Sequence, residues 1–129
     1  MKNLLIVGVG GCVGSMARYV LGGWVLHLTA QERFPYSTFL VNVTGCLVAG
    51  VLAGLTEKLD LFSPEARLLL FTGVLGGFTT FSAFGLETTY LLRRGESVVA
   101  AAYVLGSVLS GVLALWLGMK AVSVLSVEP

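Results

Sequence analysis

Four long apolar stretches, separated by short polar ones, constrain this chain more than any other feature. They cover residues 4–26, 38–55, 68–92 and 98–119. A helix rising 1.5 Å per residue needs about 20 residues to cross a ~30 Å hydrocarbon core, and each stretch is near that length. The polar intervals, residues 29–36, 57–67 and 93–96, carry Pro35, Pro64 and most of the charge; within the stretches only Arg18 and Glu87 are charged. Of 129 residues, 56% are hydrophobic and 12% charged. A soluble domain averages roughly 25% charged residues, and a small one has the most surface to cover with them. The pattern excludes a soluble monomer, a disordered chain and a nucleic-acid binder. It predicts an all-α protein with a single domain, residues 1–129, of four membrane-spanning helices.

The first stretch follows Lys2 as the apolar part of a secretory signal would. It is too long for one, holds Arg18 and lacks a clear small-residue cleavage site. Cys12 and Cys46 lie within predicted spans, form no CxxC pair, and have a single histidine, His27, for company, so they read as free thiols. His27 itself reads as interfacial.

Orientation is poorly encoded. Lys2, Lys58, Arg67 and Lys120 fall on one side of a four-span chain, and Arg33, Arg93 and Arg94 on the other, joined by Arg18 if that side chain snorkels outward. Topology follows an imbalance of Lys and Arg, and here there is almost none. The count fits insertion in both orientations with antiparallel pairing; a single topology fixed by another signal is the alternative.

The run from Asn3 to Gly14 imitates a dinucleotide-binding loop, with Gly8 and Gly10 in the first two glycine positions, but Val13 stands third and no alternation of strand and amphipathic helix follows. The same glycines read better as a helix face. Gly10 and Gly14 form a GxxxG step that lets another helix come close; Gly50/Gly54 and Gly73/Gly77 repeat it, and Ser107/Gly111 is a small-residue relative.

The third stretch is the most unusual. Gly73, Gly76 and Gly77 precede Thr79, Thr80 and Ser82 near mid-membrane. A helix broken there exposes backbone groups that lipid cannot satisfy, and such breaks survive only when buried in protein, bound to an ion or lining a wet cavity. An intact helix with packing glycines, its hydroxyls bonded to i−4 carbonyls, is the alternative. Phe78, Phe81 and Phe84 share one side if the local turn is helical. Aromatic ring edges are electropositive, so they can face a small anion without trapping it as a buried lysine would. Elsewhere, Asn42 offers two amide donors in the second stretch, and Tyr103, Ser107 and Ser110 form a polar stripe on the fourth. Arg18 and Glu87 are functional candidates because charge within a membrane is costly.

These residues resemble a known family. GGCVGSMARY (residues 10–19), TFLVNVTG (38–45) and GVLGGFTTFSAF (73–84) are similar to the first-, second- and third-helix patterns of the Fluc (CrcB-type) fluoride channels, and the resemblance covers the whole chain. It implies an antiparallel, dual-topology homodimer in the bacterial inner membrane that passes fluoride passively through two pores and so protects the cell from it. It further implies an ion pathway of Asn42, Phe81, Phe84, Thr80, Ser82, Tyr103 and Ser107, with Arg18 at a vestibule. A structural sodium ion at the dimer centre would rest on the backbone carbonyls of Gly76 and Thr79. The chain departs from the family at Ala83, where a hydroxyl residue is usual, at Ser37, where glycine usually precedes Thr38, and near Cys46, where an aromatic residue is common.

Other readings are weaker. A small antiparallel drug/proton exporter needs an acidic residue inside the first helix, and residues 4–26 have none. A structural membrane subunit with no transport role is a third class. An enzyme needs paired carboxylates, a Ser/His/Asp set or a metal cluster, none of which the sequence offers.

Overall fold

The computed structural model describes residues 1–125 and, among them, contains helices and no strand. Helix α1 spans Lys2–Thr29 and α2 Tyr36–Leu59. The third span is composite: α3 (Pro64–Arg67), a π-helical segment π1 (Leu68–Leu75), α4 (Gly76–Phe78) and α5 (Phe81–Arg93). Helix α6 covers Ser97–Leu125. Four helical stretches are long and apolar enough to cross a membrane: Lys2–Thr29, Tyr36–Leu59, Pro64–Arg93 and Ser97–Val124. Each runs past the apolar window read from the sequence, because amphipathic and charged residues continue a helix into the headgroup layer at no cost to its backbone bonds.

The ends follow ordinary local chemistry. Ser63 caps α3, its hydroxyl accepting the Ala66 N–H at 3.2 Å, with Pro64 in the first helical position, where a missing donor does no harm. Asp60, at φ 44°, ends α2, and its carboxylate accepts from Arg67 Nη2 at 2.6 Å. Gly95, at φ 77°, turns α5 into α6 while its N–H donates to Leu92 O.

The spans pair out of sequence order. Helix α1 lies along π1 and α4, and α2 lies along α6. Both pairs are parallel, since Gly10 faces Gly73 and Gly11 faces Gly77, while Gly50 faces Leu115 and Gly54 faces Met119. The glycine steps read from the sequence lie at these two seams. A Cβ on Gly14 would collide with the Val74 carbonyl oxygen, and one on Gly50 with that of Leu115. Backbones this close gain dispersion contacts, which is what associates helices where no hydrophobic effect operates. The imitation of a nucleotide loop is one of these helix faces.

The third span breaks, but not at its glycines. Thr79 (φ −81°, ψ 160°) and Thr80 (φ −149°, ψ 120°) are extended between α4 and α5. Gly73 and Gly77 are used instead for packing on α1. The break also corrects the phenylalanine row: Phe78 ends α4 and Phe81 begins α5, so the three rings share no helix face; only Phe81 and Phe84 pair, with centroids 5.5 Å apart. A small core of Leu91, Ala100 and Tyr103, edged by Phe34, Phe39 and Phe84, holds α5 to α6 and to the first loop. Large side chains such as Leu4, Val20, Val98 and Leu109 are exposed, as a lipid-facing surface requires.

Candidate functional site

The break leaves Thr80 without helical hydrogen-bond partners in the middle of a span. A side chain supplies them. The Thr80 N–H donates to Asn42 Oδ1 at 2.8 Å, and Asn42 Nδ2 donates to Thr80 O at 2.9 Å. The carboxamide of Asn42 thus imitates a neighbouring strand for one residue. Thr80 then caps α5, its hydroxyl accepting the Ala83 N–H at 3.2 Å and lying 3.3 Å from the Ser82 hydroxyl. In hydrocarbon each unsatisfied backbone group costs several kcal/mol, so these bonds are what permits the break.

The reassigned donors free carbonyls. A continuous helix would direct the Thr80 N–H to Gly76 O and the Ala83 N–H to Thr79 O. Asn42 takes the first donor and the Thr80 hydroxyl the second. Gly76 and Thr79, the two residues expected to hold a cation through their carbonyls, therefore fit that role: neutral, hard oxygen donors released from their helical partners, suited to an alkali cation. No cluster of three or more His, Cys, Asp or Glu occurs among the described residues, so any resident cation there would rest on such carbonyls.

Beside the break, Asn42, Cys46, Thr79, Thr80, Phe81, Phe84, Ser107 and Val108 wall a cavity of about 290 Å³. Five of the seven expected pathway residues, Asn42, Thr80, Phe81, Phe84 and Ser107, come together here. Among the described residues the Ser107 hydroxyl has no hydrogen-bond partner. A second hollow of about 420 Å³ is lined by Arg18, Ser37, Thr38, Thr80 and Ala83, among others. Thr80 belongs to both walls. Arg18 lines this second hollow and not the one that holds the phenylalanines. A third hollow, lined by Arg33, Glu87 and Arg94, shares Leu26 and Ser37 with the second and leads toward the end of the span.

Two expected residues stand apart from the cavity wall. Ser82 is exposed and reaches it only through Thr80. Tyr103 is completely buried behind Phe84, with ring centroids 5.1 Å apart, and its hydroxyl donates to Glu87 Oε2 at 2.7 Å. The other Glu87 oxygen accepts from Thr38 Oγ1, also at 2.7 Å. Glu87, conspicuous in the sequence only as a misplaced charge, is thus held by two hydroxyls from two other helices. Its partners are 49 and 16 residues away, so no local spacing announces them. Cys46 was also missed as a wall residue; its position four after Asn42, one helical turn on the same face, was the available signal.

Known proteins resemble this chain closely. The family model described as "CrcB-like protein, Camphor Resistance (CrcB)" matches residues 5–119. A protein of Methylobacillus flagellatus named fluoride-specific ion channel FluC is 52% identical over 122 residues, which cover 95% of each chain. Relatives of the same name from Rhizobium etli and Chlorobium chlorochromatii are 47% identical over 119 residues and 44% identical over 117, covering 92% and 91% of this chain and 94% and 89% of theirs.

Proposed function

This chain belongs to the CrcB family, a family of channels rather than enzymes, and we propose on that footing that it is a fluoride-specific ion channel. The observation that carries the reading is the single cavity in which Asn42, Thr80, Phe81, Phe84 and Ser107 meet beside the break. Fluoride is small and strongly hydrated. A pathway must replace its water with donors while holding it weakly enough to release. The spare N–H of Asn42 and the unpartnered hydroxyl of Ser107 are such donors. The edges of Phe81 and Phe84 are weaker electropositive surfaces. Thr80 and, through its hydroxyl, Ser82 extend the polar track, Tyr103 backs the Phe84 ring from behind the cavity wall, and the Arg18 guanidinium concentrates anions on the vestibule side.

The working unit in this proposal is an antiparallel homodimer with two pores, in the bacterial inner membrane. Two features support a partner copy. Phe81 is 83% exposed at the mouth of the cavity, so the cavity lacks a wall there. The Lys and Arg count is nearly even across the membrane. A sodium ion on the Gly76 and Thr79 carbonyls would join the broken helices of the two copies by supplying the positive charge their released oxygens face.

Purified protein in liposomes loaded with fluoride, and separately with chloride, tests the reading with an ion electrode. Rapid fluoride efflux with little chloride efflux is expected. A folded protein that passes no fluoride overturns the proposal, and efflux that requires a proton gradient assigns the chain to a coupled exporter instead.

A further inference from the structure

The asparagine in the cavity wall has two chemically opposite ends, and only one suits an anion. A carboxamide that rotates by half a turn exchanges its N–H donors for an oxygen acceptor. Asn42 has no such freedom. Its partner is a backbone residue, and a backbone N–H can only donate while a carbonyl can only accept. With the Thr80 N–H on Oδ1 and the Thr80 carbonyl on Nδ2, the amide has one consistent orientation. The turned amide would set oxygen against oxygen and N–H against N–H at under 3 Å.

The same contact reaches the other side of the break. The N–H of Thr80 and the carbonyl of Thr79 belong to one peptide unit, which is planar and trans, so they point in opposite directions. The N–H is fixed toward Asn42, so the Thr79 carbonyl is fixed away from it. Hydrogen bonds in series polarise one another. Positive charge at the carbonyl makes the N–H a better donor, which tightens its grip on Oδ1 and makes the remaining Nδ2 hydrogen more positive.

We propose that the Thr79–Thr80 peptide unit is an orienting clamp: it holds Asn42 with its donor toward the ion cavity, and it couples that donor to charge at the Thr79 carbonyl. Asn42 is then doubly constrained, as brace of the break and as anion donor, and Thr80 is a positioning residue acting through its backbone. This rests on the channel reading, which the wild-type efflux measurement tests separately.

The chain has only two asparagines, Asn3 and Asn42, so selective ¹⁵N-asparagine labelling gives an uncrowded spectrum. In detergent-solubilised wild-type protein, the Asn42 side chain should give two distinct, slowly exchanging N–H protons. Titration with sodium fluoride should shift one strongly and the other little. Replacing sodium by N-methylglucamine should shift the same cavity-facing proton that fluoride shifts. Two protons that move equally with fluoride overturn the clamp. Protons that ignore the cation overturn the coupling.

A second arm replaces Thr80 by its α-hydroxy acid, converting the peptide N–H to an ester oxygen and keeping the side chain. Fluoride efflux should fall by at least about tenfold, the rate equivalent of one ordinary hydrogen bond, in protein that still elutes as the wild type does. Efflux within about twofold of wild type overturns the clamp while leaving the channel reading intact; if the ester protein does not assemble, the spectroscopic result decides alone.

Discussion

The two halves of the third span are held by different forces. Leu68–Leu75 and Gly76–Phe78 lie against α1 backbone to backbone, through Gly73 and Gly77 meeting Gly10 and Gly11. No side-chain hydrogen bond joins these two faces among the described residues. From Thr80 onward the span is tied by polar side chains: Asn42 to the Thr80 backbone, and Thr38 and Tyr103 to Glu87. The first half is a fixed scaffold made by leaving side chains out. The second is a satisfied polar network in a medium that provides no water. The difference explains why the chain breaks at Thr79–Thr80, where one regime gives way to the other. Substitution can break each half separately.

The largest effect is expected at the scaffold. Gly14→Val would place methyl carbons where the Val74 carbonyl already stands, and backbone cannot yield as a side chain can. The cost should be about 3 kcal/mol or more, read as loss of monodisperse protein on size exclusion. Unchanged yield and thermal midpoint would show that the seam is looser than described. Next come the polar half's pathway residues. Asn42→Asp exchanges a donor for a charged acceptor and should slow fluoride efflux by about 100-fold. Phe81→Ile removes a ring edge and should slow it by about tenfold, on the scale of a single aromatic interaction. Phe81→Ile should keep the wild-type elution volume, whereas Asn42→Asp also sets a carboxylate oxygen against the Thr80 carbonyl and should lower the thermal midpoint; wild-type flux in either would remove that residue from the proposed pathway.

A chemical probe sharpens the comparison further. Silver ion bonds thiols strongly. Cys46 is in the cavity wall, whereas Cys12 is exposed on α1, outside it. Micromolar silver should block efflux in the wild type and in Cys12→Ala, but not in Cys46→Ala; block that follows Cys12 instead would misplace the cavity. The smallest effect is expected outside both halves. The Lys2–Glu65 ion pair, 3.1 Å long, joins side chains 74% and 48% exposed. Lys2→Ala should leave the thermal midpoint close to that of the wild type, since solvent screens such pairs. A thermal midpoint that moved as far as that of Gly14→Val would contradict the account of where stability resides.

Much of this was legible in one dimension. Span number, the seams at Gly10, Gly14, Gly50 and Gly73, and the presence of a break follow from runs and spacings. The neighbourhood of Phe81 and Phe84, three residues apart on one helix turn, was legible for the same reason. The spacing confined the break to the cluster from Gly73 to Ser82 but did not single out Thr79 and Thr80, because glycine marks both a flexible site and a packing surface, and Gly73 and Gly77 proved to be the second. Tyr103 was read as part of a polar stripe with Ser107 on α6; its hydroxyl is engaged by Glu87 instead, because the neighbouring helix offers the stronger acceptor.

The sequence by itself determined that this is a four-span helical membrane protein, for a reason that needs no partner: in hydrocarbon, a long apolar segment can satisfy its backbone only by closing bonds within itself. Tertiary structure alone decided where that rule is broken. Releasing the Gly76 carbonyl needs another group to accept the Thr80 N–H, and that group comes from Asn42, 38 residues away on another helix. Whether a polar side chain braces, binds or idles depends on the distances and directions that packing imposes, which no spacing along one chain records.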